Sequence, residues 1–135
     1  MTPYGSGVPL VFDTSAWNRQ NDPAVRERWL ATLDAGLLVA SPVVGLELLA
    51  GARDEAEFAA LERGFAQLRQ APVTAAVCAA AISASRALGG SRRLPAADYL
   101  IAAAAAERGF GVLHEDHHFD ILAGVLGFAS VRVTD

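Results

Sequence analysis

Short apolar runs alternate along this chain with longer segments of helical period, the pattern of a parallel sheet wrapped by helices. Val8 to Phe12 predicts the first strand, and a short helix starts after Asp13-Thr14-Ser15. A second helix covers Pro23 to Leu33, and Leu37 to Ala40 is the second strand, set off by the turn signal at Gly36. Ser41-Pro42 opens the next helix, with serine as cap and proline in the first turn, and it runs to about Gly51-Ala52. Asp54 to Leu68 is amphipathic, with Phe58, Leu61, Phe65 and Leu68 spaced by three and four. A short third strand is expected at Ala71 to Thr74, then a helix from Ala75 to Leu88 that stops at Gly89-Gly90. Ser91 to Leu94 is a loop, and Pro95 to Arg108 a strong helix ended by Gly109. Phe110 to Leu113 is the fourth strand, Phe119 to Leu126 a short helix, and Ala129 to Val133 an edge strand.

Against this pattern four acids stand out. Asp13 closes the first apolar run, and Glu47 interrupts the apolar stretch Val43 to Leu49. Asp98 opens the alanine-rich segment Ala96 to Ala106, and Asp116 follows Val112-Leu113. A carboxylate in apolar surroundings is costly unless it is paired, hydrogen-bonded or bound to a metal. Ligands of open α/β sheets bind beyond the carboxyl ends of the strands, where strand order reverses. Asp13 and Asp116 both follow strands, so neighbouring strands would put them on one rim. Glu47 shares a helical face with Val44, Leu48 and Gly51 that is predicted to pack on the sheet. Asp98 shares a face with Ile101, Ala102 and Ala105, which aims it inward.

Each acid also has a plain structural reading. Asp13 could cap the following helix, and Asp98 could answer a helix dipole. Glu47 could pair with an arginine, and Asp116 alone is a loop acid. The joint pattern points elsewhere. Crowded carboxylates raise one another's pKa, so a cluster of them implies positive charge in their midst. Mg2+ takes a few carboxylate oxygens, keeps several waters and bridges to phosphate. Such a centre supports phosphodiester hydrolysis, with a spare carboxylate as general base.

Composition narrows the alternatives. At 135 residues, 53% hydrophobic and 19% charged, the chain fits one domain spanning 1–135. Its net charge of −4 supplies no general attraction for a polyanion. All 11 basic residues are arginine, so chemistry that needs an ammonium group is excluded. The single Cys78 rules out an internal disulfide and the cysteine-rich zinc frameworks. No apolar run is long enough to cross a bilayer and no signal-peptide pattern opens the chain, so the cytoplasm is the expected compartment.

The chain resembles the PIN-domain ribonucleases, specifically the VapC toxins of toxin–antitoxin pairs. The matching segments are Phe12-Asp13-Thr14-Ser15-Ala16-Trp17 and Ser41 to Leu49, then Leu94 to Ala103 and Val112 to Asp120, in order and over nearly the whole chain. The resemblance implies a three-layer α/β fold around a mostly parallel sheet of four to five strands. It further implies RNA cleavage dependent on Mg2+ or Mn2+, a homodimer, and a VapB-type antitoxin as partner. By motif position Asp13, Glu47, Asp98 and Asp116 carry over as the acidic quartet, with Asp13 and Asp98 as direct ligands. Ser15 carries over as a supporting hydroxyl. His118 stands where related toxins often have a further acid, which puts a fifth ligand and a second metal site in question.

Other residues admit two readings each. His114, His117 and His118 invite a zinc site, but imidazole is not needed for hard-metal chemistry. His114 fits a structural role, and His118 an approach to substrate or water. Arg92 and Arg93 precede the Asp98 helix and suit a bidentate grip on phosphate, or equally a solvated loop. Trp17, Trp29 and Phe58 suit core or interface packing better than base stacking. Among other functions, a phosphoacceptor receiver normally uses a lysine, which is absent, and a dehalogenase-like phosphatase wants an aspartate where Ser15 stands. A catalytically degenerate PIN-fold interaction module remains the non-enzymatic alternative.

Overall fold

The computed structural model describes residues 2–90 and 93–135, so Arg92 lies outside the described residues. Among the described residues five strands form one sheet, in the order β3-β2-β1-β4-β5. They are β1 (Leu10–Phe12), β2 (Leu38–Ala40), β3 (Arg69–Gln70), β4 (Gly111–His114) and β5 (Ser130–Arg132). Every pairing is parallel, a stricter outcome than the mostly parallel sheet expected. Among the described residues seven helices flank it: α1 (Thr14–Asn18), α2 (Pro23–Asp34), α3 (Pro42–Ala50), α4 (Glu55–Ala66), α5 (Ala75–Leu88), α6 (Ala96–Glu107) and α7 (His117–Leu126). This is the three-layer α/β architecture.

The central strands β1, β2 and β4 are buried at every position, as continuous apolar strands covered on both faces should be. Helix α6 buries Tyr99, Ile101, Ala102, Ala103, Ala104 and Ala105 and packs on β1 and β4. Its alanines let the helix backbone approach the sheet closely. Under α1 lies an aromatic cluster. Phe12 is fully buried, with its ring centroid 5.6 Å from those of Trp17 and Trp29 and 6.2 Å from that of Phe65.

Strand β1 starts at Leu10 rather than Val8 and α4 ends at Ala66 rather than Leu68, and two further differences have a local cause. The third strand is Arg69–Gln70, not Ala71 to Thr74, because the edge needs only two residues to pair with Val39 and Ala40. Both are exposed, so no apolar run announces them. Helix α7 starts at His117 rather than Phe119, because the Asp116 side chain accepts the His118 amide and caps it.

Gly111 marks a close approach between strands. A Cβ there would lie 2.8 Å from the Ala129 carbonyl oxygen and 2.8 Å from Leu10 Cδ2. Because the first of these is backbone of the neighbouring chain segment, Gly111→Ala is expected to lower the unfolding free energy by about 1–3 kcal/mol in urea titration.

Candidate active site

Strand order reverses between β1 and β4, and these two strands pair in the register Phe12↔Leu113. The Asp13 amide continues the ladder by donating to the Leu113 carbonyl at 3.1 Å. Asp13 and Asp116 therefore leave the same carboxyl rim side by side, the location at which such sheets bind ligands.

Asp13 is buried and does cap α1, its Oδ1 accepting the Ala16 amide at 2.9 Å. The capping and metal readings are thus compatible, since a carboxylate oxygen accepts more than one partner. The Ser15 hydroxyl lies 2.7 and 2.8 Å from the two Asp13 oxygens and accepts the Glu115 amide at 2.9 Å. One hydroxyl so ties the loop after β1 to the loop after β4. Burial pushes the Asp13 carboxyl up to about 6, the Ala16 and Ser15 hydrogen bonds oppose this, and the Asp116 charge adds to it.

Asp98 sits half-buried in the first turn of α6. Its Oδ2 lies 2.9 Å from His118 Nδ1. Burial raises its pKa, the His118 hydrogen bond lowers it, and Asp116 raises it again. Asp116 thus bears electrostatically on both other aspartates, although the three come from separate parts of the sequence.

His114 holds this arrangement from below. It is fully buried, and its Nδ1 accepts the Asp116 amide at 3.1 Å. Nε2 therefore carries the proton and donates to Ser130 Oγ at 2.6 Å, and that hydroxyl donates to Asp120 at 2.7 Å. Burial lowers the His114 pKa, which keeps the ring neutral as this tautomer requires. Arg132 bonds Asp120 and lies 3.5 Å from Glu115, whose other oxygen accepts the Thr134 hydroxyl at 2.8 Å. Sequence reasoning marked His114 as structural but missed Ser130, Asp120 and Arg132. Only the β4–β5 pairing of His114 with Arg132 could have exposed them.

Glu47 departs from its expected setting. It is exposed, and among the described residues no hydrogen bond or ion pair engages its carboxylate. Helix α3 is apolar nearly all round and leaves even Leu46 69% exposed, so apolar neighbours in sequence do not define a buried face. It does pack against α1 and α6. Arg93 is exposed and lines, with Arg86 and Tyr99, a groove of about 610 Å³ between α5 and α6. None of the four acids lines that groove. Trp17 and Trp29 belong to the aromatic cluster, as their packing reading required, while Phe58 is 37% exposed.

The donor set suits a divalent ion. Asp13 and Asp98, both raised by the Asp116 charge, offer oxygen ligands together with Asp116, and Asp116, His117 and His118 present ligand atoms all within 4.8 Å of one another. His114 is committed to Ser130 and the Asp116 amide, so it cannot join a three-histidine zinc site.

Comparison with known proteins agrees with this geometry. The sequence profile described as PIN domain matches residues 10–125. Ribonuclease VapC18 of Mycobacterium tuberculosis is 35% identical over 125 residues, covering 87% of this chain and 91% of that protein. Ribonuclease VapC51 of the same organism is 34% identical over 124 residues, covering 89% of each. Among solved structures, a VapBC-family toxin–antitoxin protein of Mycobacterium tuberculosis, VapBC-5, superimposes with a TM-score of 0.67 at 24% identity, over 93% of this chain and 98% of that one. Family profile, near full-length relatives and a shared fold converge: the chain belongs to the PIN-domain family, and within it to the VapC type.

Proposed function

We propose that this protein is a metal-dependent endoribonuclease toxin, neutralised by a cognate VapB-type antitoxin. The observation that carries the reading is that Asp116, beyond the carboxyl rim where β1 and β4 pair, bears electrostatically on both Asp13 and Asp98. The VapC18 and VapC51 relatives, both ribonucleases, support RNA as substrate. VapBC toxin–antitoxin structures of the same fold support the antitoxin. A homodimer and a cytoplasmic site of action complete the proposal. Among the described residues no helix is long and apolar enough to cross a membrane.

Asp13, Asp98 and Asp116 would hold Mg2+ or Mn2+, with Glu47 brought in from α3 as the fourth acid. A bound dication supplies Lewis acidity, easing ionisation of water and offsetting charge on phosphate oxygens. The chain's own groups do the positioning. Ser15 and the Ala16 amide fix the Asp13 carboxylate, and the Asp116 loop is held by His114. A carboxylate free of the ion, Glu47, would accept the proton of the attacking water. Exposed Arg93, with Arg92, would grip backbone phosphate. An interaction module would not need three repelling carboxylates in one place.

The test is brief induction in cells followed by mapping of cleavage ends on total RNA. Wild-type protein is expected to generate discrete new ends and arrest growth, with co-expressed antitoxin relieving both. Asp98→Asn should generate none. In vitro, chelation with EDTA should stop cleavage and Mg2+ or Mn2+ restore it. Cleavage that persists in EDTA, or in Asp98→Asn, defeats the proposal.

A further inference from the structure

His118 stands among the acids, not merely beside them. Its Nδ1 is 2.9 Å from Asp98 Oδ2 and 3.4 Å from Asp116 Oδ1. Adjacent ligand atoms of a six-coordinate ion with bonds of about 2.1 Å lie about 3 Å apart. Both separations are close to that edge length. The ring is also held in place: the His118 amide donates to Asp116 Oδ1 at 3.0 Å in the first turn of α7, and the side chain is only 25% exposed. His117, by contrast, is 72% exposed, with Nδ1 3.6 Å from Asp116.

Resting on the proposed function, we propose that His118 Nδ1 is a nitrogen ligand of the cation that Asp98 and Asp116 hold, and that it turns the site's preference from Mg2+ towards Mn2+. Mg2+ takes oxygen donors almost to the exclusion of nitrogen. Imidazole suits the first-row transition metals, and among them Mn2+ shares with Mg2+ a preference for carboxylate and water ligands. The competing role is that of a positioning residue, in which His118 only donates to Asp98 and orients that carboxylate from outside the coordination sphere.

Pulsed electron paramagnetic resonance on Mn2+ loaded into tag-free protein separates the two, because only a directly bound nitrogen gives strong ¹⁴N modulation of the electron spin echo. Strong modulation is expected in the wild type and in His117→Ala, and its loss in both His118→Asp and His118→Ala. The ratio of Mn2+ to Mg2+ affinity, measured by calorimetry, should fall about tenfold in His118→Asp, where oxygen replaces nitrogen. Mn2+ bound without ¹⁴N modulation in the wild type overturns this inference while leaving the metal-dependent ribonuclease intact. Modulation that survives in His118→Asp but vanishes in His117→Ala overturns it too, by giving the nitrogen to His117. Failure of the wild type to bind Mn2+ while it binds Mg2+ overturns this inference alone, and failure to bind either ion would overturn it together with the metal dependence.

Discussion

Asp13→Asn is expected to abolish RNA cleavage and, at the same time, to stabilise the metal-free protein. The activity loss should reach about a thousandfold or more, since a metal's charge stabilisation amounts to several kcal/mol and each 1.36 kcal/mol is a factor of ten. The gain in stability follows from burial. At a site where its pKa is about 6 instead of 3.8, the ionised carboxyl costs the fold up to about 3 kcal/mol at neutral pH. Asparagine keeps the oxygen that accepts the Ala16 amide but loses part of the Ser15 interaction, so a net gain of about 1–2 kcal/mol is expected.

The pH dependence has a definite sign. With its folded pKa above the unfolded value, the Asp13 carboxyl binds protons more tightly in the folded state. Its penalty is complete above pH about 6 and disappears as pH falls towards 3.8. Chemical denaturation of the metal-free wild type at pH 7 and pH 5 should show that share of the stability rising at the lower pH. Asp13→Asn should lack it. A bound cation reverses the balance by favouring the ionised form, so added Mn2+ should raise the wild-type melting temperature and leave the variant's unchanged. A variant less stable than the metal-free wild type at pH 7 would contradict the burial argument.

Phe12→Ala should produce the largest loss of stability, about 3–5 kcal/mol, enough to unfold a marginal domain. The ring is fully buried between Trp17, Trp29 and Phe65, and truncation opens a cavity that three large rings in fixed positions cannot fill. Phe12→Leu retains most of the volume and should cost less, while leaving a folded protein to assay. Trp17 sits in α1, the helix that Asp13 caps, so loosening the cluster should also weaken metal binding. Urea unfolding followed by tryptophan fluorescence measures the first effect, and Mn2+ titration of Phe12→Leu the second.

How far the site was legible in the sequence depended on where each residue's environment is decided. Asp13 and Asp116 end apolar runs, so periodicity put each at a strand's carboxyl end, while the shared rim depends on the β1–β4 pairing, which the sequence left conditional. Asp98 was legible because the face of α6 that it opens carries alanine and isoleucine only. Glu47 was not, because α3 is apolar on nearly every side and its burial depends on which neighbours it meets. The pair His118–Asp98 was invisible for a related reason. It joins the first turns of α6 and α7, and that contact comes from helix packing, not from any spacing in the chain. The edge strand Arg69–Gln70 needed no apolar side chains to pair, so it left no apolar trace.

The central claim is that Asp13, Asp98 and Asp116 jointly hold one functional dication. Anomalous diffraction from crystals grown with Mn2+, collected on wild type and Asp13→Asn, tests it most directly. The account predicts a strong peak in contact with the Asp13 and Asp98 carboxylates in the wild type, absent from the variant. Mn2+ located away from these aspartates, or an unchanged peak in Asp13→Asn, would contradict it.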